Sequence, residues 1–185
     1  MDPREPVGLV GQITRWLAEQ RSDDAAAARS RERWLRQQAA EEGTFAGVLL
    51  DMGEGARVVV VHAVGDRRHR GAVRAVAGDF VVIGGDGSPD VLISFAGIVA
   101  VRPDAHAPVT VGDRAVALDT RLGEVLVGLA GERPRVLVTT LDGTGLAGQL
   151  RAMGRDVLTL RLDGEDRTLV YVPLAAVAEV GLTER

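Results

Sequence analysis

An internal repeat is the feature that most constrains what this 185-residue chain can fold into. When residue 45 is placed over residue 122 and the two halves are compared without gaps, apolar residues coincide with the i, i+3, i+4, i+7 spacing of one helix face. The apolar pairs are Phe45 with Leu122, Val48 with Val125, Leu49 with Leu126, and Met52 with Leu129. Identical residues coincide further along, among them Gly71 with Gly148, Arg74 with Arg151, and Asp79 with Asp156. We therefore predict two copies of a unit of roughly 77 residues, each beginning with a short amphipathic helix.

Each copy continues as a series of short strands. Val-rich runs at residues 57–64 and 135–141 favour strands, because β-branched side chains fit a pleated, half-buried surface. The Asp-Gly pairs at residues 86–87 and 163–164 are typical of tight hairpins, since this dipeptide tolerates positive φ. Short strands joined by tight turns predict a small barrel, which would leave no sheet edge exposed.

The helix followed by five short strands resembles the Sm-like small barrels, a superfamily that includes Sm and LSm proteins and bacterial Hfq. The resemblance lies in residues 70–83 and 93–101 of the first copy and residues 147–158 and 171–180 of the second. It implies an α+β, mainly β fold: a tandem repeat of two Sm-like or SH3-like small β-barrels, each preceded by a short helix, with an N-terminal helical extension. Uridine-binding members carry an Asp followed a few residues later by an Asn, whereas here Asp79 and Asp156 are followed by no Asn, so the resemblance carries over no nucleotide pocket.

The repeat also sets the expected domain boundaries. Residues 1–40 carry amphipathic patterns and predict the N-terminal helical extension. The first helix-plus-barrel repeat is expected over residues 41–102 and the second over residues 119–185. Between them, the Pro and Gly residues of segment 103–118 predict a linker, with a brief strand near its end.

The composition excludes several kinds of site. The chain has no cysteine, so neither a disulfide nor a Cys-based zinc site is expected. It has no lysine, which excludes Schiff-base chemistry and a Walker-type phosphate loop. The G-x-G-x-x-G stretch at residues 143–148 alternates as a strand and predicts a hairpin rather than a cofactor site. We predict no catalytic residue, metal or cofactor, and hence a protein that is not an enzyme.

The N-terminus lacks the basic start and apolar core of a signal peptide. No run approaches the ~18 consecutive apolar residues of a membrane span. We therefore expect a cytoplasmic protein that has no membrane partner. The net charge of −4 is mildly acidic, whereas a protein that coats nucleic acid is usually basic.

One basic cluster and one apolar helix face are the candidate binding sites. The basic cluster would contact nucleic-acid phosphates through Arg forks and comprises Arg67, Arg68, His69, Arg70 and Arg74. The same cluster is also consistent with a solvated hairpin tip. The apolar face in the N-terminal helices would form a protein interface and comprises Ile13, Trp16, Leu17 and Trp34.

These observations favour a non-enzymatic cytoplasmic adaptor or regulatory protein that binds a protein partner, or self-associates, through its N-terminal helices. One alternative is an RNA-binding protein in the Sm manner, using the hairpin at residues 67–70. A second alternative is a small-ligand binder or an enzyme with its site in the cleft between the two barrels.

Overall fold

The computed structural model describes residues 31–32, 34, 38, 43–55, 58–85, 88–104, 115–164 and 168–183. From Phe45 onward the chain forms one compact unit, which contains all the strands described below. Arg31, Glu32, Trp34 and Gln38 are helical. No helix in the described part of the chain combines the length and the apolar character that crossing a membrane requires.

The same order of elements occurs twice. Repeat 1, defined as residues 45–103, contains α1 (Phe45–Glu54), β1 (Val58–Ala63), β2 (Arg67–Val76), β3 (Phe80–Gly85), β4 (Ser88–Ser94), a 3₁₀ turn (Phe95–Gly97) and β5 (Ile98–Pro103). Between the repeats lies β6 (Val116–Ala117). Repeat 2, defined as residues 122–182, contains α2 (Leu122–Glu132), β7 (Arg135–Thr140), β8 (Gly145–Met153), β9 (Val157–Leu162), β10 (Leu169–Pro173), a 3₁₀ turn (Leu174–Ala176) and β11 (Val177–Leu182).

The two repeats also agree in strand register. The ladder between β2 and β3 shifts register between Val73 and Ala75, and the ladder between β8 and β9 shifts at the matching place, between Leu150 and Ala152. Such a bulge bends a strand and is placed by the local sequence. The internal repeat is therefore confirmed in strand order and in register, and so are the brief strand in the predicted linker and the hairpin predicted at residues 143–148, where β8 begins at Gly145 and pairs with β7.

A glycine shared by the repeats explains how β2 and β8 bend so closely over their neighbours. A Cβ atom at Gly71 would lie 2.2 Å from the Gly84 carbonyl oxygen, and one at Gly148 would lie 2.4 Å from the Arg161 carbonyl oxygen. Only glycine allows a backbone approach of this kind. The coincidence of Gly71 and Gly148 in the sequence thus has a steric cause.

The prediction of two closed barrels is wrong. The strands form one 11-stranded, mostly antiparallel open sheet in the order β10-β9-β8-β7-β11-β4-β3-β2-β1-β5, with β6 paired in parallel to β2. Among the described strands, β4 does not pair with β5, nor β10 with β11, so neither set of five closes on itself. Instead β4 pairs with β11 of the other repeat. A sheet edge can be satisfied by a neighbouring unit as well as by closure, and the strand pattern is the same in both cases.

The hydrophobic core has two parts, and one of them crosses between the repeats. The first cluster includes Leu49, whose equivalent Leu126 belongs to the second cluster; both are completely buried. The second cluster also includes Ala77, Phe80 and Leu92 from repeat 1. Burying a side chain of the size of Leu or Phe contributes about 1.5–3 kcal/mol. The two repeats are therefore held together by shared core as well as by strand pairing.

Candidate protein interface

The predicted basic cluster lies on β2, where successive side chains alternate between the faces of the sheet. Arg67 and His69 contact the carboxylate of Glu179 on β11 of the other repeat. Arg67 Nε lies 2.7 Å from Glu179 Oε2, an ion-pair distance without hydrogen-bond alignment. His69 Nε2 lies 2.8 Å from Glu179 Oε1. These three residues, the Glu179 cluster, make an internal contact between the repeats.

The other three members of the basic cluster do not join Arg67 and His69 in one surface. Arg68 and Arg70 occupy the alternate positions of β2 and are exposed. Arg70 Nε donates a hydrogen bond of 2.8 Å to Asp104 Oδ2. Arg74 is exposed and lies with the carboxylate of Asp90 over Gly84. The charge of the cluster is thus largely offset by acidic neighbours, and nucleic-acid contact through it stays a prediction.

Glu179 was not among the residues predicted from the sequence. Its side chain is 1% exposed, although an ionisable carboxylate is almost never buried without a partner. The equivalent position in repeat 1 is Ala100, because both strands follow their 3₁₀ turns directly. A single acidic residue inside the apolar run of residues 174–180 was the signal that could have identified it.

The junction, defined as the pairing of β11 with β4 and the contacts around it, joins the repeats. Its register pairs Glu179 with Ile93, Val180 with Leu92, and Gly181 with Val91. The Ser94 hydroxyl donates a buried hydrogen bond of 2.9 Å to the Val177 carbonyl. Gly97 lies directly against Ala178, and a Cβ atom at Gly97 would lie 2.8 Å from the Ala178 carbonyl oxygen. The junction is therefore closely packed at the end near the 3₁₀ turn of repeat 1.

The start of α2 adds a second contact between the repeats. The Leu122 N–H donates a hydrogen bond of 2.8 Å to Asp79 Oδ1, and the Gly78 N–H donates one of 3.0 Å to the Thr120 carbonyl. A carboxylate at a helix N-terminus satisfies an amide that has no partner within the helix and also interacts favourably with the helix dipole. Repeat 1 thus caps the helix of repeat 2.

Among the described strands, the two at the ends of the sheet have a neighbour on one side only. β5 forms one end and β10 the other. Val99 on β5 is 70% exposed, while Leu169 and Tyr171 on β10 are 49% and 65% exposed. An edge strand presents unpaired N–H and C=O groups, and exposed apolar side chains beside them make it a surface to which another chain can add.

A groove of about 470 Å³, the β10 groove, runs beside one of these edges. It is lined by Thr140, Leu141, Asp142, Thr144, Leu146, Val170, Tyr171, Val172, Pro173 and Ala176. Within it, hydrogen bonds from the Thr140 hydroxyl and the Thr144 backbone N–H lower the pKa of the Asp142 carboxyl from its ordinary value. These bonds fix the turn between β7 and β8 at one end of the groove.

A smaller cavity of about 370 Å³ lies between the repeats and corresponds to the cleft considered for a ligand or an enzyme. Ser94, Asp79 and Asp156 contribute its polar groups, and Phe95, Leu122 and Leu174 its apolar walls. Ser94 and Asp79 already hold the structural hydrogen bonds to Val177 and Leu122. The cleft therefore offers few polar groups that are available to a ligand.

The predicted N-terminal interface is described only in part. Trp34 is helical and 62% exposed. Ile13, Trp16 and Leu17 lie outside the described residues. The interface therefore stays a prediction, although the exposure of Trp34 agrees with a binding role.

Among the described residues, no three His, Asp or Glu side chains are grouped so that they could hold a metal ion. Comparison of the sequence with protein-family models and with curated proteins finds no match. The resemblance to the Sm-like superfamily accordingly stays a prediction.

Proposed function

We propose that this protein is a non-enzymatic adaptor or regulatory protein of the cytoplasm, and that it binds protein through the open edge strand β10. The observation that carries this proposal is that no described strand pairs with the outer side of β10, which lies beside an apolar groove. The equivalent strand of repeat 1, β4, is paired on both sides. The sheet of repeat 2 thus presents a position for one further strand.

The residues of β10 fit a strand-binding role. Along β10, Leu169 and Tyr171 are exposed, whereas Val172 is buried against the core. No residue of β10 is charged, and Pro173 stands only at its end. Natural proteins usually protect an edge with charges, an internal Pro or a short strand, because an apolar edge recruits other chains. In strand addition, backbone hydrogen bonds supply affinity and alternate side chains supply specificity.

The RNA-binding alternative has less support. It depends on the basic cluster, of which Arg67 and His69 face Glu179 and Arg70 faces Asp104. A phosphate would have to compete with these carboxylates. If RNA binds at this cluster, replacing Arg67, Arg68 and Arg70 by Ala should weaken the complex seen in a gel shift. Increasing the salt concentration should weaken the complex as well.

The protein-binding proposal is tested with a photo-crosslinking amino acid at position 171 of the full-length chain. A crosslinker at Val127, which is exposed on α2, a helix that contributes no residue to the lining of the β10 groove, is the matched control. We expect position 171 to yield a covalent product with a protein, either another protein or a second copy of this chain, and position 127 to yield none. Equal products from both positions, or none from either, would contradict binding at β10.

The N-terminal helices are a second contact that we propose, because a Trp exposed on a helix is a frequent anchor of protein interfaces. Trp34→Ala should then reduce binding of a partner identified through position 171, or reduce self-association. Unchanged affinity by titration calorimetry would show that Trp34 lies outside the interface.

A further inference from the structure

The two open edges of the sheet are equivalent to the two strands that meet at the junction. β10 occupies the place in repeat 2 that β4 occupies in repeat 1, and β5 occupies the place in repeat 1 that β11 occupies in repeat 2. One edge of the sheet is therefore β10, the equivalent of the strand with which β11 pairs. The other edge is β5, the equivalent of the strand with which β4 pairs.

We propose that the β10 groove takes β5 of a second copy of this chain, so that copies associate head to tail by repeating the internal junction. This inference rests on the proposed function, since it names the partner of the same edge. The contact joins two different surfaces, and each copy therefore keeps one edge available for a further copy.

The internal junction predicts the register of this contact. Moving its three residue pairs to the equivalent positions places Ala100 opposite Val172, Val101 opposite Tyr171, and Arg102 opposite Val170. The strands would be antiparallel, as β11 and β4 are.

The walls of the β10 groove correspond to the surface that already holds β11. In repeat 1, the equivalents of the groove residues include Arg67 and His69, which contact Glu179, Ser94, which bonds to Val177, and Gly97, which touches Ala178. The groove is thus the same receptor surface without its strand.

The side chains that face each other differ between the internal junction and the proposed contact between copies, and they differ on both strands of the pair. Inside the chain, Glu179 faces Arg67 and His69. Between copies, the equivalents are Ala100 on β5 facing Thr144 and Leu146 in the groove. A glutamate opposite Leu146 would be a buried charge without a partner, which is strongly unfavourable. The internal contact pairs an acidic side chain with basic ones, and the contact between copies pairs an alanine with uncharged side chains. Both pairings are complementary.

Three residue differences at equivalent positions reduce the extent of close packing in the contact between copies, compared with the internal junction. Ala176 stands where Gly97 does, and Val99 stands where Ala178 does, so more side-chain volume lies near the 3₁₀ turn. Pro173 stands where Ser94 does and cannot repeat its hydroxyl bond. We therefore expect an association that exchanges and depends on concentration, not a permanent one.

The test uses two full-length variants, each blocked at one edge. Ala100→Glu places a charge on β5 and Tyr171→Lys places one on β10, both at positions exposed in the single chain. We expect the unmodified protein to self-associate in sedimentation velocity over a concentration series. Each variant should raise the dissociation constant at least about tenfold. Val127→Lys, charged on the exposed face of α2, should associate as the unmodified protein does.

Mixing the two blocked variants distinguishes head-to-tail pairing from other modes. The mixture should form a 1:1 dimer, since the Tyr171→Lys chain has an intact β5 and the Ala100→Glu chain an intact β10. Adding Thr144→Arg and Leu146→His to the Ala100→Glu chain should restore self-association by rebuilding the Glu179 cluster between copies.

The inference is overturned if the unmodified protein is monomeric throughout the series, if either blocked variant associates as strongly as the unmodified protein, or if the mixture forms no dimer. Failure of the proposed function has a different signature. If position 171 crosslinks a different protein while the chain stays monomeric, strand addition at β10 stands and self-pairing falls.

Discussion

Strands β11 and β5 occupy equivalent places in the two repeats, yet β11 is mostly buried and β5 is mostly exposed. In β11, Val177 through Val180 are buried on both faces, because the strand lies between β7 and β4 in the middle of the sheet. In β5, Val99 and Ala100 are exposed, because nothing described lies beyond the strand. The difference shows that burial here is set by the neighbouring strand and not by the local sequence, which is mostly apolar in both strands and carries one charged residue in each.

The largest expected effect comes from placing a charge at matched positions of the two strands. Ala178→Asp puts a carboxylate at a fully buried site against Gly97, and should lower the free energy of unfolding by about 4 kcal/mol or more. Val99→Asp, at the equivalent exposed site, should change it by less than about 0.5 kcal/mol. Urea denaturation of both variants checks this, and equal losses would show that the edge of β5 is not open.

The Glu179 cluster should give the next largest effect. Glu179→Ala leaves Arg67 and His69 without their carboxylate and should cost about 1.5–3 kcal/mol of unfolding free energy. Ala100→Glu, the reverse exchange at the exposed equivalent, should leave the stability of the single chain almost unchanged. Chemical denaturation measures both changes.

A double-mutant cycle separates the Glu179 contact from other effects of the substitution. Arg67→Ala combined with Glu179→Ala should cost less than the sum of the two single losses, because each removes the same contact. Strictly additive losses would contradict an energetic coupling between these side chains.

Much of the local structure could be predicted from the sequence. The repeat, the short helices and Leu49 with its equivalent Leu126 followed from apolar spacing, since that spacing is set by helix and strand geometry. Whether each set of five strands closes into a barrel could not be predicted. A strand that is buried by its own repeat and one that is buried by the other repeat have the same pattern of apolar residues. The role of Glu179 was hidden for the same reason: its partners lie on β2, more than a hundred residues earlier in the chain.

The candidate edge was missed because barrels were expected, and a barrel has no edge. The exposed residues Leu169 and Tyr171 belong to an apolar strand, which in the sequence is indistinguishable from a buried one. Only the order of the described strands shows that β10 has a neighbouring strand on one side alone.

A smaller effect is expected where the junction requires a glycine. Gly97→Ala puts a methyl group against the backbone of Ala178 and should cost about 1–3 kcal/mol, since a well-packed contact relaxes poorly. Ala176→Gly, at the equivalent place beside the open edge, removes no contact between the repeats and should cost at most about 1 kcal/mol through backbone entropy. Thermal unfolding compares the pair, and a larger loss at Ala176 would contradict the assignment of the crowded end.

The smallest expected effect is a dependence of stability on pH that arises near the start of α2 and has no equivalent in α1. The Thr120 hydroxyl and the Arg121 N–H, which is 3.0 Å from Glu124 Oε2, both donate to the Glu124 carboxylate and lower its pKa, whereas the equivalent position near the start of α1 is Gly47. Because the folded state holds the ionised form, this stabilisation is present above the ordinary pKa of a glutamate. It disappears as the pH falls through the lowered value.

Glu124→Gln should therefore reduce the melting temperature slightly at neutral pH, and the difference from the unmodified protein should shrink in acid as Glu124 becomes protonated. Thr120→Val, which removes the hydroxyl donor, should show the same dependence on pH. Melting curves recorded across the acidic range provide the measurement. A difference that stays constant with pH would mean that the charge of Glu124 does not support α2, and that the two helices begin with equal stability despite their different first turns.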